Sequence, residues 1–149
     1  MKRRSNWQNR TVIPAVLLAA SLAVSPVSVR AQVAVPVDAA ALQDVLASCE
    51  TEDACLAAIE QFIVRLSALN PGVPVTTVVA SVASALVSAY NAGAVPARVA
   101  QVALVAVSRA AAARGMTELA QTLQQAVTVV AAGDPIDLDA VAEGSASPA

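Results

Sequence analysis

Cys49 and Cys55, six residues apart, are the pair of side chains in this chain whose types and spacing point to a defined chemistry. In an oxidising compartment an isolated pair of this kind closes into a disulfide. Geometry then constrains the backbone. Six helical steps rise about 9 Å, whereas bridged Cα atoms lie within about 7 Å of each other. The chain must therefore turn between the two cysteines, and Thr51 offers a helix start at that turn. The pair reads as a staple from the end of one helix to the first turn of the next. A redox-active pair is the weaker reading. Such pairs favour Cys-x-x-Cys and a lowered thiol pKa, and Glu50, Glu52 and Asp53 would raise it here.

Other chemistries find few parts. The chain has no His, and its one lysine is Lys2. A serine or cysteine nucleophile therefore lacks its usual base, and no Gly-x-Ser-x-Gly stretch is present. Asp139 and Glu143, four apart, could share a helix face as an acid–base pair. That spacing is common on solvated helices, so a carboxylate hydrolase is the least favoured reading. Asp134, Asp137, Asp139 and Glu143 could attract a hard cation, but they lack the loop pattern of a calcium site. No catalytic residue, metal site or cofactor is expected, and the glycines form no phosphate-cradling loop.

The compartment follows from the first 31 residues. Lys2, Arg3, Arg4 and Arg10 make a positive start, residues 11–24 an apolar run, and Val29-Arg30-Ala31 a cleavage site before Gln32. That is the layout of a secretory signal peptide. The run falls short of the roughly 20 residues of a spanning helix. The residues after Arg3-Arg4 do not suit a twin-arginine signal, and no cysteine follows the run to carry a lipoprotein anchor. The expected location is periplasmic or secreted. Removal of residues 1–31 leaves four arginines against eleven carboxylates, a net charge of −7. Such a chain repels nucleic acid, whose phosphates need clustered Lys and Arg.

The remaining residues divide into an extended lead over 32–37, a helical domain over 38–144 and a loose tail over 145–149. Apolar residues recur with helical period, and Pro and Gly punctuate them. Asp38 caps a first helix bearing Leu42, Val45, Leu46 and Cys49. Thr51 caps a second, with Cys55, Leu56, Ile59, Phe62, Ile63, Leu66 and Leu69 inward. Pro74 and Pro96 fit the first positions of a third and a fourth. Thr117 caps a fifth, and Asp134-Pro135 opens a short sixth. The expected fold is all-α: a compact bundle of five to six short helices with one disulfide, after an N-terminal signal peptide. Val73-Pro74 to Gly93 and Val95-Pro96 to Gly115 recur at 22 residues, from either an old duplication or a shared grammar of helix ends.

The stretch 66–97 carries no charge. Val75, Val79, Val82, Ala83, Leu86 and Tyr90 lie on the apolar face of its helix, and Thr77, Ser81, Ser84 and Ser88 run along one side. The apolar face is the candidate interaction surface, for a protein partner or for self-association. The alternatives are a membrane-associated helix around 75–92 and a plain buried helix. The favoured function is a non-enzymatic exported binding or scaffold module.

Overall fold

The computed structural model describes residues 34–146. Residues 1–33, which hold the expected signal peptide and the start of the lead, and residues 147–149 lie outside the described residues. Among the described residues six α-helices follow one another: α1 (Ala39–Ala47), α2 (Glu52–Leu69), α3 (Val75–Asn91), α4 (Ala97–Ala112), α5 (Thr117–Ala132) and α6 (Leu138–Ala146). The all-α, disulfide-stapled bundle expected from the sequence is the fold observed.

Helix starts use local chemistry. The Asp38 carboxylate accepts from Ala41 N at 2.9 Å, and the Thr51 hydroxyl accepts from Ala54 N at 3.3 Å. Each bond satisfies an amide that the first helical turn leaves unpaired. Glu52 and Asp53 then sit in the first turn of α2, where negative charge favours the helix dipole. Four expected starts shift. Pro74 and Pro96 stand one residue before the helix, at the cap, with φ −56° and −62°. Met116 occupies the cap of α5, and Thr117 is its first residue with no capping bond. Helix α6 begins at Leu138, where the Asp137 carboxylate accepts from Asp139 N at 2.9 Å, and it continues through Ser145 and Ala146. The helix thus runs two residues past its expected end at Gly144.

Helix ends share one device. Gly93, Gly115 and Gly133 take φ values of 72°, 77° and 83°. The next amide reaches back five residues each time: Ala94 N to Ala89 O, Met116 N to Ala111 O and Asp134 N to Val129 O. Left-handed backbone there suits glycine. The closing half of the 22-residue recurrence therefore also serves α5, which lies outside it.

Helix α4 is the most enclosed element. Ala100, Ala103, Leu104, Ala106, Val107, Ser108, Ala110 and Ala111 are all buried, with α5, α2 and α3 packed around them. The small residues let neighbouring backbones approach, and the Ser108 hydroxyl donates to Ala120 O at 2.9 Å across the α4–α5 seam. Helix α6 crosses α3 and α5, and α1 lies on α2 and α3. The disulfide joins Cys49, just past α1, to Cys55 in the first turn of α2, with Cα atoms 4.1 Å apart. Both cysteines are buried. Leu69 departs from its expected inward position and is 71% exposed, because α2 ends there and the chain turns away. Among the described residues, no helix is long and apolar enough to cross a membrane.

Candidate functional site: a groove on the outer side of α3

The apolar face of α3, the candidate interaction surface, packs into the core of the chain. Val79, Val82, Ala83 and Leu86 are buried against neighbouring helices. A 3.6-residue stripe reports that a face is covered, and here the rest of the same chain covers it. Of the six expected residues only Val75, at the exposed first turn, keeps substantial contact with solvent, at 40%. Tyr90 is half-buried, and its hydroxyl donates to Asp134 O at 3.2 Å. The adjacent Asn91 donates from Nδ2 to Ile136 O at 2.8 Å and accepts from Ile136 N at 2.9 Å. The end of α3 therefore clamps the α5–α6 connection.

The other side of α3 is where a ligand can reach the helix. A groove of about 240 Å³ runs along it, floored by Thr76, Thr77, Ala80, Ser81, Ser84 and Ala85. One wall is the N-terminal lead, through Ala34, Val35 and Val37. The other is α6, through Ala142 and Ser145. The lead is fixed rather than loose at its centre: Val35 is buried, and its amide donates to Ser81 Oγ at 3.0 Å. Sequence reasoning marked Thr77, Ser81 and Ser84 as a stripe of small hydroxyl residues. It missed that the lead and α6 would wall them, because those contacts join residues far apart in the chain.

Among the described residues, none that lines the groove is ionisable. These residues offer hydroxyl groups, methyl groups and short apolar walls. The groove's volume lies below the roughly 300 Å³ of the smallest sites for drug-sized ligands. Among the described residues, no group of three His, Cys, Asp or Glu could hold a metal ion. Asp139 and Glu143 both lie exposed on α6. Glu143 instead lines a separate cleft between α5 and α6 with Glu118, Gln121 and Gln125.

Two of the four arginines beyond residue 31 bridge helices. Arg109 pairs with Glu52. The Arg114 guanidinium grips Glu60 through two bonds of 2.6 and 2.9 Å and donates to Ala110 O at 2.7 Å. Those hydrogen bonds hold the Glu60 carboxyl below its ordinary range, against the opposing effect of burial. Both pairs tie α2 to the C-terminal end of α4 or the turn beyond it, on α2 rather than on α3.

Comparisons with protein-family models, curated proteins and solved structures find no match to this chain.

Proposed function

We propose that the chain is a small exported binding or scaffold module, working in the periplasm or outside the cell. In this reading the outer side of α3 receives a side chain or helix edge of a partner protein. The observation that carries it is the groove: an uncharged, hydroxyl-studded floor on a helix whose opposite face is committed to the core. Removal of residues 1–31 would leave Gln32 as the first residue, two positions before Ala34 at the groove wall. The disulfide supports an oxidising compartment.

A photo-crosslinking side chain placed at Ala80 tests this in cells that produce the protein. Adducts of defined mass are expected from Ala80 in the exported fraction. None is expected from Gln124 on the exposed side of α5. Equal adducts from both positions, or none from Ala80, argue against the groove. An intact mass beginning at Met1 in that fraction argues against export with cleavage.

A further inference from the structure

Four of the five corners between helices contain residues that break a helix. Pro71, Gly72 and Pro74 lie between α2 and α3, and Gly93 and Pro96 between α3 and α4. Gly115 turns the next corner, and Gly133 with Pro135 the last. The α1–α2 corner, residues 48–51, has neither. Nor does any residue from Ala39 to Leu69. This corner is bent by the Thr51 cap and by the disulfide, and only the disulfide forbids a continuous helix. Its Cα atoms are 4.1 Å apart, whereas six helical steps require about 9 Å.

We propose that the Cys49–Cys55 bond is a redox latch on this corner, and that its reduction lets two copies of the chain exchange their N-terminal arms. The arm is Ala34–Ala47. It is held by Val35, Leu42 and Leu46, which are buried, by Val37, Ala41 and Val45 partly buried beside them, and by the bond from Val35 N to Ser81, contacts that an exchanged arm makes equally well. The reductant is a dithiol. Its thiolate attacks Cys49 Sγ and forms a mixed disulfide, and Cys55 leaves as a thiolate and takes a proton. The second thiol of the reductant closes on the mixed bond and releases Cys49 as a thiol. Two electrons and two protons pass to the protein, and the reductant becomes a cyclic disulfide.

With the constraint gone, α1 and α2 join into one helix. A nine-residue helix gains stability by extending a longer one, because isolated short helices are marginal. The arm then projects roughly 13 Å past the corner and leaves its own seat empty. That seat includes Ser81 and the Val95, Pro96 and Val99 side of the α3–α4 corner, which faces Leu46. The occupant is the arm of a second copy, the segment whose fit to that seat is already formed within one chain. Reciprocal exchange closes as a two-fold dimer and leaves no arm exposed. The arm is also one wall of the groove, so exchange rebuilds that wall from the second copy, whatever binds there.

The purified protein is compared oxidised, reduced with dithiothreitol, and as C49S/C55S, by sedimentation over a range of concentrations with hydrogen exchange on α1. The oxidised chain is expected to sediment as a monomer. The two thiol-free or thiol-reduced forms are expected to double in mass as concentration rises. A mixture of ¹⁴N and ¹⁵N chains, reduced together and reoxidised while concentrated, is expected to yield Cys49–Cys55 bonds between light and heavy chains. Adding Glu50→Gly to C49S/C55S restores a helix-breaking corner and is expected to return the monomer. Should C49S/C55S fail to fold, the reduced wild-type chain decides the outcome. Strict monomers in the reduced chain, with α1 amides as protected as when oxidised, overturn the latch. So does a dimer that persists unchanged with Glu50→Gly.

Discussion

Arg114 and Glu60 show what a single contact does in this molecule. The two residues are 54 positions apart, and the guanidinium spends three donors on the pair and on Ala110 O. The bonds favour the ionised carboxylate, so the Glu60 pKa is lower folded than unfolded. Its contribution is therefore complete above the unfolded value of about 4.3 and is lost as pH falls through the lower folded value. Glu60→Gln is expected to cost about 0.5–1 kcal/mol at pH 7, since the pair is partly open to water. The variant should also lose less stability than the wild type on acidification. Urea midpoints at pH 7 and pH 3.5 check this, and an unchanged acid limb in the variant contradicts it. The sequence marked both residues as charged, but sequence spacing held no sign that they meet.

Among the elements, α6 is held by proximity more than by buried area. Val141 is its buried residue. Gly144 lets it lie close to α5: a Cβ there would stand 2.9 Å from Thr122 Oγ1 and 3.3 Å from Leu119 Cα. The Thr122 hydroxyl could rotate, but the Leu119 backbone sits inside a packed helix. Gly144→Ala gains helix propensity yet forces the crossing apart, at a net cost of about 1–2 kcal/mol. The expected outcome is faster amide exchange across α6 with α2 and α4 unchanged. Equal exchange rates in the two proteins would remove this account of the glycine. Elements were the most legible level of the sequence. Helical period with Pro and Gly marked five helices closely. The start of α6 was misplaced, because Asp134-Pro135 resembles a helix opening whereas Asp137 does the capping. Position was less legible than type: the stripe from Val75 to Tyr90 correctly signalled a covered face without saying what covers it. The groove was half legible, since its floor is local and its walls come from both ends of the described chain.

Seen whole, the bundle wraps α2, α3 and α5 around an α4 whose buried residues are mainly alanine. Substituting Leu104, buried in that helix, with Ala removes contacts and should cost about 2–5 kcal/mol. Ala106→Leu adds atoms at a side chain that has no exposed surface. It should cost at least as much as the usual 1–3 kcal/mol of an overpacked site, read as a fall in the urea midpoint. A variant as stable as the wild type would mean the interior has unfilled space beside α4. An interior floored by methyl groups has a further consequence for descent. Drift towards bulkier residues is closed to it along α4, so change must accumulate on the outer rim, and descendants would keep the skeleton while their surfaces diverge.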